Sequence, residues 1–205
     1  MLGIRSSARQ FTTSLRALLV ATVALGILYP LLVTGVTQVA LPGEANGSLV
    51  KAADATVGSA LIGQQFVDAM GNALPGYFQS RPSAVDYNAA SSGGSNLGPE
   101  NPDLAAQVKA RIAAIAASDG VSAAQVPADA VTASASGLDP HISPEYAQEQ
   151  VARVAAARGI DPQVVRRLVD ENTEGRMLGF LGEPTVNVLK LNIALDDAAP
   201  NPASR

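Results

Sequence analysis

Few side chains in this 205-residue sequence are of a type that does chemistry. There is no cysteine and a single histidine, His141, which removes thiolate nucleophiles, disulfides, iron–sulfur clusters and most zinc sites. Asp139-Pro140-His141 sets a carboxylate beside an imidazole, two parts of a serine-type relay; a lone histidine beside a helix cap is more often a hydrogen-bonded surface residue, and catalysis is not expected of it. Ser92-Gly93-Gly94-Ser95-Asn96-Leu97-Gly98 offers successive backbone amides that can cradle an anion, or else a plain structural turn. No glycine precedes a lysine, so the phosphate loop is missing, and no Gly-x-Ser-x-Gly elbow exists. Glu171, Glu174 and Glu183 lack the spacing of a metal loop, and Arg166-Arg167 reads as solvated charge. Asn46-Gly47-Ser48 matches the short glycosylation pattern, which chance readily produces. No catalytic residue and no metal ligand are therefore expected. The net charge of −4 gives no electrostatic reason to expect nucleic acid.

The elements that carry these residues begin with a membrane signal. No charge lies between Arg16 and Glu44, and residues 17–41 are mostly Ala, Leu, Val, Ile and Gly. Such a run is about 37 Å long as a helix, enough for a ~30 Å hydrocarbon layer with some tilt. A cleaved signal peptide has an apolar stretch of only about 7–15 residues, so an uncleaved anchor is the reading. Arg5, Arg9 and Arg16 precede the run with no acidic residue, which predicts a cytoplasmic N-terminus, residues 1–16, and an extracytoplasmic domain, residues 42–205. That domain carries eleven basic and eighteen acidic side chains, net −7. Within the span, Ala17 and Ala21, and Thr22 and Gly26, stand four apart and form narrow ridges against which another helix can pack closely. Pro30 interrupts the run.

The remainder reads as one mixed α/β domain, so the fold class is α+β behind a single transmembrane helix. Short strands are expected around Ser59–Ile62, at Tyr77-Phe78-Gln79 and at Ala130–Ser136. Three helices are each announced by a capping side chain followed by proline: Asn101-Pro102, Ser143-Pro144 and Asp161-Pro162. Their inward faces are Leu104, Val108, Ile112 and Ile115, then Tyr146, Val151, Val154 and Ala155, then Val164, Val165, Leu168 and Val169. Gly159 caps the second, which makes the last two a helical hairpin. The tail Val186–Asp197 alternates like a strand, yet Asn187 can cap a helix from Val188; helix is the preferred reading.

Taken together, these segments resemble the KdpC family, the C subunit of Kdp-type potassium-transporting P-type ATPases. The resemblance rests on Tyr29-Pro30-Leu31-Leu32, Ala45-Asn46-Gly47-Ser48-Leu49, Gly58-Ser59-Ala60-Leu61-Ile62-Gly63-Gln64, Tyr77-Phe78 and Arg81-Pro82-Ser83-Ala84. It continues through Gly93-Gly94-Ser95-Asn96-Leu97, Val131-Thr132-Ala133-Ser134-Ala135-Ser136-Gly137-Leu138-Asp139 and His141-Ile142-Ser143-Pro144. It closes with Gln150-Val151-Ala152-Arg153-Val154-Ala155 and Gly182-Glu183-Pro184-Thr185-Val186-Asn187-Val188. The Ala-rich Ala113–Ala130 linker and the Ala198–Arg205 tail follow no family pattern.

The resemblance implies a non-catalytic accessory subunit of a high-affinity, ATP-driven potassium importer, single-pass in the cell (inner) membrane. Its implied partners are a P-type pump subunit, which hydrolyses ATP, a channel-like subunit, which carries potassium, and the lipid bilayer. The family subunit is described as needed for assembly and as a catalytic chaperone that raises the pump's ATP affinity. The resemblance also puts Gln150 at a position proposed to touch nucleotide; the other reading is a structural hydrogen bonder on a packed helix. No tightly bound cofactor is expected, with ATP reached only through the complex. The alternative class is a membrane-anchored binding domain or hydrolase acting alone.

Overall fold

The computed structural model describes residues 2–52 and 54–200, with side chains from residue 7 onward. The chain divides into two compact units between Ser48 and Leu49.

In the first unit α1 (Leu2–Val23) and α2 (Tyr29–Ala40) are joined without a break by a π-helical turn, Ala24–Leu28. Pro30 explains the wide turn. Proline has no N–H to give the Gly26 carbonyl, and its ring would collide with that carbonyl in a regular α-helix. Tyr29 N–H accordingly reaches back five residues to the Ala24 carbonyl. Ser7–Ala40 is long and apolar enough to cross a membrane by length and composition. From Ser7 to Val36 every residue is exposed in the isolated chain, which is the expected state of a helix that is apolar all round and seeks lipid or neighbouring helices. A short turn, α3 (Pro42–Ala45), follows.

The second unit opens with an antiparallel ribbon of β1 (Leu49–Ala52) and β2 (Ala55–Ser59), with a bulge between Val50 and Lys51. The second strand ends at Ser59, because the Ser59 hydroxyl and carbonyl accept from Leu61 and Ile62 N–H and turn the chain; the strand expected around Ser59–Ile62 lies mostly upstream of that position. Next come α4 (Pro102–Asp119) and the short α5 (Ala128–Val131). The Ala113–Ala130 stretch read as a linker is thus helical at both ends, and α5 occupies the start of the expected Ala130–Ser136 strand. Thr132 N–H and hydroxyl both bond the Ala128 carbonyl, which closes a helical turn where β-branched residues suggested extension.

The remaining elements are β3 (His141–Ile142), α6 (Pro144–Arg158), α7 (Pro162–Glu171), β4 (Thr173–Glu174), β5 (Thr185–Asn187) and α8 (Val188–Ala198). All three cap-plus-proline starts are observed. Asn101, Ser143 and Asp161 accept from Asp103, Tyr146 and Gln163 N–H at 2.8, 3.0 and 2.8 Å. Gly159 ends α6 at φ +67°, and α6 and α7 form the expected hairpin. Asn187 accepts from Lys190 N–H, so the tail is a helix. The last residues of the Ala198–Arg205 tail, 201–205, lie outside the described residues. A three-stranded antiparallel sheet, β3-β5-β4, pairs His141 with Asn187 and Glu174 with Thr185.

The core joins Phe78, Ile142, Tyr146, Val151, Val154, Val165, Val169, Val186, Leu191 and Leu195, with Val108, Ile112 and Ile115 of α4 packed on it. Val164, expected inward, is exposed: α7 turns only the Val165 and Val169 ridge fully inward, with Leu168 at its edge. The Gly-rich 92–98 segment docks on residues 134–137, where Gly93 N–H donates to the Ser136 carbonyl at 2.8 Å. At Gly137, φ is +66° and a Cβ would stand 2.7 Å from the Gly93 carbonyl oxygen, so only glycine fits.

Candidate functional site

Residues 75–79 form a strap whose backbone is bonded by side chains rather than by a neighbouring strand. Tyr77-Phe78-Gln79 is therefore no strand, against the sequence expectation. Asn192 of α8 accepts from Phe78 N–H at 2.9 Å and donates to the Phe78 carbonyl at 3.0 Å. Gln150 of α6 repeats the pattern one residue on, accepting from Gln79 N–H at 2.7 Å and donating to its carbonyl at 3.3 Å. Arg153 donates to the Pro75 and Tyr77 carbonyls, and Arg158 to that of Gly76. Arg158 also stacks over the Tyr77 ring, 4.7 Å from its centroid, and pairs with Asp196. Every carbonyl but that of Gln79 is thus reached by an arginine or an α8 amide, and Phe78 fills the core beneath. Buried backbone groups must find partners, and here side-chain amides supply them.

Gln150 is 0% exposed, and its carbonyl oxygen accepts a second bond, from Arg153 at 2.6 Å. Arg153 in turn ion-pairs with the buried Asp119 carboxylate at 2.7 Å. Both oxygens of Glu149 lie out of solvent beside that pair with no hydrogen-bond donor. Burial first, and then the nearby Asp119 carboxylate, push the Glu149 carboxyl up to about 7, against the opposing pull of Arg153. Burial and the same two carboxylates raise the Tyr146 hydroxyl as well.

A cavity of about 520 Å³ opens beside this cluster, lined by Pro75, Gln79, Ile115, Asp119, Tyr146 and Arg153 among others. That volume lies in the range of small-ligand sites. Gln150 is not part of its wall; it stands behind Gln79 and Arg153, the two residues it binds. A phosphate entering here would meet the Asp119 carboxylate, with Arg153 already neutralised by it. The arrangement is a clamp on the strap.

The other residues singled out in the sequence lie elsewhere. Asp139 accepts from Arg81 at 2.8 Å and from His141 N–H at 3.0 Å. Burial alone would raise its carboxyl, but hydrogen bonds from His141 and the Arg81 guanidinium hold it below the ordinary value. His141 bonds no serine hydroxyl among the described residues, and Arg166-Arg167 is solvent-exposed. Ala17, Ala21 and Thr22 are exposed along α1, and Gly26 falls inside the π turn. Arg153, Asn192 and the Asp119–Glu149 pair were not singled out in the sequence. One signal was present: Asn192 interrupts the inward stripe Val188, Leu191, Leu195 of an otherwise apolar helix face.

The family model described as "KdpC: K+-transporting ATPase, c chain" matches residues 11–197. The chain is 54% identical over 203 residues to the potassium-transporting ATPase KdpC subunit of Kineococcus radiotolerans, covering 97% of this chain and 99% of that one. The proteins of the same description from Sorangium cellulosum and Herpetosiphon aurantiacus are 56% identical over 184 residues and 54% over 189. Those alignments cover 88% and 91% of this chain and 94% and 95% of the relatives.

Replacing Gln150 by Leu leaves the Gln79 N–H and carbonyl unpaired while keeping bulk, and Asn192→Leu does the same to Phe78. Each variant should lose about 2–4 kcal/mol in chemical denaturation of the full chain in detergent. A Gln150→Leu protein as stable as wild type would show that Gln150 does not hold the strap. Glu149 carries a pH signature. The folded chain holds its proton more tightly than the unfolded chain, so its stabilisation is complete below 4.5 and disappears as pH rises through about 7. Glu149→Gln should abolish that decline and raise stability near pH 8 on the order of 1 kcal/mol, a value discounted for partial exposure. Denaturation curves of both proteins on either side of neutrality measure it.

Proposed function

Since this chain belongs to the KdpC family of potassium-transporting ATPase subunits, we propose that it is a membrane-anchored accessory subunit needed to assemble the complex, and that it influences ATP use only indirectly. Its partners in this reading are a P-type pump subunit that hydrolyses ATP and a channel-like subunit that carries potassium. The helix of residues 7–40 anchors it in the cell membrane with a cytoplasmic N-terminus, as Arg9 and Arg16 favour. Ala17, Ala21, Thr22 and Gly26 form the close-approach face for a partner helix.

The observation that carries the indirect reading is the state of Gln150. Its amide oxygen holds two donors, its amide nitrogen holds the Gln79 carbonyl, and no part of it reaches solvent. A nucleotide could use Gln150 only by dislodging the strap. The domain's net −7 charge opposes a triphosphate further. A chaperone effect on the pump's ATP affinity then passes through subunit contacts, with no cofactor held tightly by this chain.

Two experiments test this. Thr22→Leu with Gly26→Leu should prevent co-purification with the other subunits in mild detergent and abolish potassium uptake, while the globular domain stays folded. Wild-type recovery of the complex would refute the helix-packing role. Titration of ATP into the full-length wild-type chain should give no saturation at millimolar concentrations; saturable binding would establish a direct nucleotide site instead.

A further inference from the structure

The exposed large apolar residues of the globular domain are mostly scattered: Leu49, Leu61, Met70 and Val164 stand apart in sequence. Four are not. Met177, Leu178, Phe180 and Leu181 are 71%, 79%, 68% and 47% exposed within five positions. They form the tip of the connection between β4 and β5, and clustering of this kind marks a contact surface.

The tip is built rather than slack. Met177 and Leu181 pair as an isolated antiparallel bridge, each N–H bonding the other's carbonyl at 2.9 Å. Gly179 N–H closes the turn on the Arg176 carbonyl. Leu178 adopts φ +54°, a left-handed conformation that a branched side chain takes only under constraint, with Gly179 beside it at φ +82°. Below the tip an Arg176–Glu183 ion pair ties the two arms, and the base continues into β4 and β5, whose Val186 is in the core. The result is a pre-shaped apolar knob on a fixed stem.

Two environments accept apolar side chains, and the observations separate them. A lipid surface needs no particular backbone, and its usual recognition set is Trp or Tyr at the headgroup level with free Lys or Arg nearby. The tip has neither Trp nor Tyr, its one arginine is paired with Glu183, the neighbouring Lys190 is paired with Glu174, and Glu171 adds an acidic charge. A protein cleft rewards a pre-organised shape, since little conformational freedom remains to be lost on docking. The relatives' description as subunits of a transporting ATPase means that partner proteins exist.

We propose that the Met177–Leu181 tip is a docking knob that inserts into an apolar cleft, with a neutral or basic rim, on another subunit of the potassium-transporting complex. This rests on the assembly reading above and adds to it the place where the globular domain is held. Binding buries Leu178 and Phe180 first, as the side chains at the turn.

The chain has no cysteine, so Met177→Cys in the full chain carries a single thiol in the tip and leaves Leu178 and Phe180 in place. Its modification by a maleimide in permeabilised membranes, read on this chain after gel separation, reports the tip alone. Expressed without its partners the variant should label readily, and within the co-purified complex labelling should fall several-fold. A Met70→Cys control, exposed and remote in sequence, should label equally in both states. Slow labelling in the chain alone would place the tip in lipid and overturn the proposal, as would fast labelling in the complex. Leu178→Ser with Phe180→Ser should reduce the complex recovered, with the isolated chain's melting unchanged; full recovery counts against the knob. Failure of the wild-type chain itself to co-purify would instead contradict the assembly reading.

Discussion

The globular domain depends on two side-chain amides that take the place of a β-strand. Phe78 must enter the core, so the backbone that carries it must also leave water, and its N–H and C=O groups cannot remain unpaired there. Asn192 and Gln150 close the Phe78 and Gln79 groups in turn, from α8 and α6. The clamp therefore ties the hairpin helix α6 to the C-terminal helix α8 through residues far from both in sequence. Arg153 extends the tie to α4 through Asp119. Such a network is worth most when every member is satisfied, which is why one unpaired carboxyl beside it, that of Glu149, becomes sensitive to pH.

Elements whose signals are local were legible in the sequence. A cap and a proline set the starts of α4, α6 and α7, and Gly159 and Asn187 set the α6 end and the α8 start, because these features satisfy helix termini with residues one to three positions away. Elements that depend on distant partners were not. Tyr77-Phe78-Gln79 has strand-like composition, yet its partners are side chains from residues 150 and 192. Thr132 looked extended until its hydroxyl closed on the Ala128 carbonyl. Gln150 was identified by resemblance, and two roles stayed open for it, because its complete burial and its bond to Gln79 arise only from the fold. Asn192 left a readable trace, as an amide on an apolar helix stripe.

The N-terminal helix shows the same division. Its length and lack of charge are properties of composition, and its helical course follows directly. The π turn comes from a single residue, Pro30, acting on the carbonyl four residues earlier. It also places Gly26 in a wider helical turn than Thr22, so the spacing of those two residues departs from the ideal α-helical one.

Hydrogen–deuterium exchange of the full chain in detergent, followed over residues 75–80, tests the clamp most directly. Backbone amides held by buried side chains exchange only when the domain opens, so the Phe78 and Gln79 amides should be protected to the same degree as α6 despite having no strand partner. In Gln150→Leu the Gln79 amide should lose that protection while α7 and the helical ends of α6 keep theirs. Exchange of the wild-type strap at the rate of an exposed loop would contradict the account.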